Sequence, residues 1–230
     1  MVEAVLRPRR RKASAKVAIA ARRYAELGWP VCQGAELRGR AGMRGAGPAG
    51  HHLPAGRACS CDRIGCPAPG AHPLSPAWKL KASSDPQVVG QWWTTAPRSS
   101  ILLVTGRIFD VLDVPAGAGS AALARLGQAG IRPGPVAESA GGRVLFFVAS
   151  RAAGTEDDEW WSCHLDCEPE TVPAITGLRW HCRDSYVLAP PSALGSGSAA
   201  RWLVRPDATA LPDALRLLEF LADACEEIGR

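Results

Sequence analysis

With 230 residues, 47% of them hydrophobic and 21% charged, the chain has the composition of an ordinary globular protein, long enough for one sizeable domain with appendages. Its apolar stretch near the start, AKVAIAA at 15–21, is cut by Arg22 and Arg23, too short for a membrane span and poorly built for an export signal. A cytoplasmic protein is therefore expected, with its eight cysteines as reduced thiols or metal ligands rather than a disulfide framework.

The net charge of +5 is unevenly placed: residues 1–57 carry twelve Lys and Arg against three acids. RPRRRK at 7–12 reads equally as a polyphosphate-attracting tail and as a solubilising disordered arm, so 1–13 is set apart as a basic tail. SAKVAIAARRYAEL at 14–27 repeats apolar positions (Val17, Ala21, Tyr24, Ala25) at helical spacing and stops at Gly28, which predicts an amphipathic helix. Trp29, Pro30 and Val31 open an extended piece. Residues 34–58, rich in Gly, Ala, Pro and Arg, read as a flexible loop in which His51 and His52 are solvated.

CSCDRIGCPAPGAH at 59–72 follows. Cys59, Cys61, Cys66 and His72 are four soft or borderline ligands on a backbone bent by Gly65, Pro67, Pro69 and Gly70, a pattern that closes around a tetrahedral zinc ion. Four protein ligands make a structural zinc, because a catalytic one keeps a position open. Asp85 before Pro86 predicts an N-capped helix with Val88, Val89 and Trp92 on its apolar face. ILLVTG at 101–106 and IFDVLDV at 108–114 read as a strand pair in a tight hairpin turning at Gly106-Arg107. A small-residue helix at 117–130 comes next, then a strand at 143–148 entered through Gly141 and Gly142, and a strand at 186–192 ended by two prolines. Between 151 and 180 no periodicity emerges; a mobile loop is expected, and Cys163, His164 and Cys167 form a weaker metal trio that would need Cys182 as well. The last helix, 211–229, offers Leu215, Leu218, Phe220, Leu221 and Cys225 for packing.

Six of these pieces, AARRYAELGWPV, the cysteine loop, SSDPQVVGQWW, the pair LLVTG and FDVLDV, SAGGR and YVLAPPS, stand in an order that resembles the N-terminal domain of bifunctional DNA primase/polymerases, the prim-pol branch of the archaeo-eukaryotic primase superfamily. The resemblance runs from about Ala20 to Arg205. It implies an α+β prim-pol-like domain with an RRM-like antiparallel or mixed sheet, flanking helices and a zinc-binding loop. The expected division is a tail at 1–13, the domain at 14–206 with its zinc loop at 57–73, and a C-terminal helix at 207–230 packed on it.

The family joins nucleotides on a DNA template with divalent metal, Mg²⁺ or Mn²⁺, held by an acid-x-acid pair on one strand face. Asp113 matches the first acid, and Pro115 stands where the second belongs. Asp110 lies at i−3, on the opposite face of a regular strand unless a bulge intervenes. Val144 matches the family's phosphate-contacting histidine, and His181 the third metal-binding aspartate, with Asp184 as a displaced candidate. Arg143 and Arg183 can still grip phosphate.

The resemblance therefore implies a primase/polymerase-like module that binds single-stranded DNA or nucleotides, with Asp113 and Asp110 as remnants of the catalytic set, Arg143, His181 and Arg183 as binding residues, and transfer impaired or lost. An active enzyme with Asp110, Asp113 and Asp184 in an altered site is the alternative, and a protein-interaction scaffold presenting Trp92, Trp93, Trp160 and Trp161 is another. The sequence contains no G-x4-GK[ST] phosphate loop, so any helicase or other replication protein would be a separate partner.

Overall fold

The computed structural model describes residues 8–38, 58–61, 63, 66–150, 170–171, 175, 177–194 and 197–229. Helix α1 (Pro8–Glu26) leads through Trp29 into β1 (Val31–Arg38), which pairs with the short β2 (Ala58–Cys59). α2 (Trp78–Lys81) and α3 (Pro86–Thr95) precede β3 (Ser99–Val104) and β4 (Phe109–Pro115). α4 (Ala116–Gln128), β5 (Val136–Glu138), β6 (Arg143–Ala149), β7 (Glu170–Thr171), β8 (Arg179–His181), β9 (Tyr186–Leu188), β10 (Arg201–Val204) and α5 (Ala214–Ile228) complete the order. The result is the expected α+β class. Four strands form one sheet in the order β2-β1-β3-β9 and six form another, β10-β5-β6-β4-β8-β7, and every strand pair is antiparallel.

Local chemistry accounts for the starts of α3 and α5. The Asp85 carboxylate accepts from the Gln87 and Val88 amides at 2.7 and 3.4 Å, satisfying donors that the first turn of α3 leaves orphaned. Asp213 does the same for α5, accepting from the Arg216 amide at 3.0 Å. α1 begins at Pro8, earlier than the periodicity indicated, so part of RPRRRK is helical. β1 runs on to Arg38, into the segment expected to be loop, because its later residues find partners in β2 and β3.

The largest difference from expectation lies at 101–114. β3 and β4 are consecutive strands but not a hairpin: β3 joins the four-stranded sheet and β4 the six-stranded one. The chain changes sheet at 105–108 and again between β8 and β9, and the two crossovers pack together. Thr105 donates twice there, its amide to the Ser185 carbonyl at 3.0 Å and its hydroxyl to the Cys182 carbonyl at 2.6 Å. Gly106 sits at φ 81°, with the Arg183 backbone where a Cβ would stand, so the crossover needs glycine for both reasons.

Three cores result. One joins both sheets to α1 and α3, with Tyr24, Trp29, Trp93, Phe109 and Phe147. The second covers the other face of the six-stranded sheet with α4 and α5, and the third packs Trp78 of α2 on the four-stranded sheet. Helix faces differ in detail from the sequence reading: α5 buries Ala214, Leu217, Leu221, Ala224 and Cys225 while Leu215 is exposed, and α3 buries Val89 and Trp93 rather than Val88. Trp93 is core, its indole N–H donating to the Ser99 carbonyl at 3.0 Å, and Trp92 is packed against the same core. Trp160, Trp161, His51, His52, Cys163, His164 and Cys167 lie outside the described residues. Among the described residues no helix is long and apolar enough to cross a membrane.

Candidate functional site

Two groups of residues concentrate the chemistry. The first is the cysteine loop. It hangs on the edge of the four-stranded sheet: Ser60 and Glu36 exchange bonds of 3.0 and 2.9 Å, the Ala35 amide donates to the His72 carbonyl at 2.8 Å, and the Ser100 hydroxyl donates to the Gly70 carbonyl. These anchors bring the donor atoms of Cys59, Cys61, Cys66 and His72 within 4.8 Å of one another. His72 Nδ1 lies 3.0 Å from the Pro73 carbonyl, which can only accept, so Nδ1 carries the proton and Nε2 presents its lone pair to the cluster, 3.1 Å from Cys59 Sγ.

The thiols are unevenly tuned. A backbone N–H from Arg63 pulls the Cys61 thiol down, whereas burial pushes Cys66 up to about 11, reinforced by the neighbouring cysteines. Three sulfurs this close cannot all ionise against one another, and a dication resolves the conflict. The donor set fits a closed tetrahedral metal site.

The second group surrounds Asp113 at the centre of the six-stranded sheet, between β6 and β8. The β4–β6 register is unbroken from Phe109↔Ala149 to Pro115↔Arg143, and no bulge intervenes. Asp113 and Asp110 therefore face opposite sides. Asp110 goes with Leu112 and Val114, and accepts from the Trp180 indole N–H at 3.2 Å. Asp113 shares its face with Arg143 on one flank and His181 on the other, each diagonal to it across a strand pair.

Arg143 Nε donates to Asp113 Oδ1 at 2.6 Å, and its Nη2 donates to the Asp113 and Gly177 carbonyls at 3.0 and 2.6 Å. His181 Nε2 stands 3.5 Å from Asp113 Oδ2, at the outer limit of hydrogen bonding, and its Nδ1 lies 3.1 Å from the Ser185 hydroxyl. Cys225 of α5 lies in the core on the other face of the sheet; burial pushes its thiol up, with the charge of Arg143 opposing and that of Asp113 adding to the shift. Asp113 and His181 are buried, and the Arg143 side chain keeps 22% of its exposure.

The remaining candidates lie elsewhere. Val144 turns to the opposite face, where it packs so closely under α4 that a Cβ on Gly119 would lie 2.5 Å from it. The β6 residues nearest Asp113 on its own face are Arg143 and Leu145, with Phe147 further along the same face. Asp184, at φ 63° in the turn after β8, is half exposed and pairs with Lys79 at 3.5 Å, so Asp110, Asp113 and Asp184 are not gathered into one site. Arg183 is exposed on that same turn. Sequence reasoning missed Gly177 and Ser185, which carry no motif and reach Arg143 and His181 only through the fold.

A family model described as bifunctional DNA primase/polymerase, N-terminal, matches residues 21–214. No curated protein matches the chain.

Proposed function

This chain belongs to the family of bifunctional DNA primase/polymerase N-terminal domains, and on that premise we propose that it is a primase/polymerase-like module that binds nucleic acid or nucleotide without carrying out nucleotidyl transfer. One observation carries this reading: the only carboxylate on the β4 face is already engaged, by Arg143 at 2.6 Å and by His181 at 3.5 Å. Two-metal transfer needs several carboxylates converging on a pair of cations about 3.5–4 Å apart. Here the i+2 position is Pro115, Asp110 faces the other side, and Asp184 is paired with Lys79.

The Arg143 guanidinium is bonded to Asp113 Oδ1, an oxygen that a Mg²⁺ or Mn²⁺ ion would need as a ligand. Its charge would repel a dication placed on the same oxygen. The residues present do not fit a metal pair.

Arg183, exposed at the neighbouring crossover, is placed to meet phosphate, whereas Arg143 and His181 are turned to Asp113 and a phosphate would have to compete with that carboxylate for them. Cys59, Cys61, Cys66 and His72 hold a structural zinc ion that supplies no chemistry beyond fixing the loop to the sheet. In this reading residues 14–206 form the domain, α5 closes it from below, and the cytoplasmic protein works beside a separate helicase or replication protein.

Primer extension and de novo primer synthesis on single-stranded DNA, with Mg²⁺ or Mn²⁺ and an Asp113→Asn control, test the proposal. No incorporation by zinc-loaded, folded protein is expected. Incorporation that disappears in Asp113→Asn would sink it, because the altered residues would then assemble a working metal centre.

A further inference from the structure

A cleft of about 460 Å³ opens between α1 and β10, sharing no residue with the Asp113 site or the cysteine loop. Its rim is cationic. Lys16 and Arg23 stand on one face of α1, seven residues or about 10 Å apart along the axis, with only Ala20 between them. Arg205, just beyond β10, faces them from the other wall. All three are exposed, and among the described residues no carboxylate pairs with any of them or lines the cleft. Arg201 is also on the rim, but its charge is spent on Glu138.

The floor is apolar and fixed. Tyr24 donates its hydroxyl to the Pro190 carbonyl at 2.6 Å and accepts from the Trp202 indole N–H at 2.8 Å. Behind them Trp29 and Phe147 stack in the core, which holds both rings before any ligand arrives. Trp202 remains half-buried, with Pro191 exposed on the far side of the cleft.

We propose that this cleft binds a single strand of nucleic acid, with successive phosphates on Lys16, Arg23 and Arg205 and a base against the Trp202 and proline floor. The proposal rests on the reading of the chain as a nucleic-acid-binding module, and it adds a second site to it. A free nucleoside triphosphate concentrates its charge in a few ångströms, whereas these cations are spread over two helical turns. A duplex keeps its base faces stacked inside and has nothing to offer the floor. Single strands supply both spaced phosphates and an open base face.

The Tyr24 hydroxyl and Trp202 N–H are engaged with each other, so among the described residues the floor offers no unengaged side-chain donor to read a base edge or a ribose 2′-hydroxyl. Binding at the cleft is therefore tolerant of sequence and indifferent to sugar.

The test uses the full chain and fluorescein-labelled oligothymidylate, oligodeoxyadenylate and oligouridylate, with fluorescence anisotropy over a salt series. Arg23→Gln/Arg205→Gln is expected to weaken all three at least about 10-fold at low salt and to flatten the slope of log K against log salt by about 1.4, 0.7 for each lost phosphate contact. Arg23→Lys/Arg205→Lys keeps the wild-type slope. Excess dTTP or duplex leaves the wild-type complex intact.

Wild-type affinity and slope in the Gln variant would overturn the cleft as the site while leaving a nucleic-acid-binding module standing. Displacement by dTTP or by duplex would replace the single strand as its ligand. A wild-type protein that binds no single strand would remove the cleft proposal and the nucleic-acid reading together.

Discussion

The cysteine loop and the Asp113 site are both places where this family suggests a metal, and they are built in opposite ways. In the loop, four donors converge within 4.8 Å, and a histidine is held in the ligating tautomer by the carbonyl next to it. Around Asp113 a single carboxylate has its oxygens turned to Arg143 and His181. The contrast teaches that a metal site is recognised by whether its donors still need a cation. The loop has unmet negative capacity. The Asp113 site has been neutralised from within.

Breaking the loop should cost most. Removing the metal with a chelator, or preventing its binding with Cys66→Ser, is expected to lower unfolding free energy by about 4 kcal/mol or more, a part of the 10–16 kcal/mol that structural zinc contributes in peptides that have no other fold. Zinc content by elemental analysis should fall from one per chain to none, and lowering the pH should release it, because protons compete for the thiolates. A chain that melts identically with and without metal would erase the distinction drawn between the two sites.

The crossover that seats His181 comes next. Gly106→Ala places a Cβ 2.1 Å from the Arg183 Cα at φ 81°, and denaturant unfolding should show a loss of about 3 kcal/mol. Arg143→Met strips Asp113 of its partner in a buried setting and should cost about 2–3 kcal/mol, below the full range for buried pairs because Arg143 keeps 22% exposure. Asp113→Leu/Arg143→Met should recover most of that loss, since an apolar pair removes the stranded charge. If the double variant is instead worse than either single change, the pair does more than neutralise itself. Asp85→Ala, remote from both sites, sets the scale of an ordinary local defect at about 1 kcal/mol, readable by thermal denaturation.

Residues that act on near neighbours in the chain were legible. Asp85 and Pro86 start α3 where the sequence puts them, and the four candidate ligands come together because turns and sheet anchors act within a span from Glu36 to Ser100. The hairpin expected at Gly106 was not found, because the same Gly-Arg turn that closes a two-stranded ribbon also serves a chain leaving one sheet for another. Periodicity named α5 yet placed Leu215 inside, where the helix turns it to solvent. Asp110 and Asp113 could be separated only once the register showed no bulge.

By itself, the sequence determined the cysteine loop and the start of α3, because ligand spacing and caps are properties of short stretches, and the order of its motifs carried the resemblance that implied the α+β class and the family. Only the tertiary structure decided what Asp113 meets. Its partners come from β6 and β8, held in turn by Gly177 and Ser185, and the cleft joins α1 to β10 across most of the chain. A charge takes its chemical role from the charges within a few ångströms of it, and in this molecule those neighbours are supplied by strands far apart in sequence.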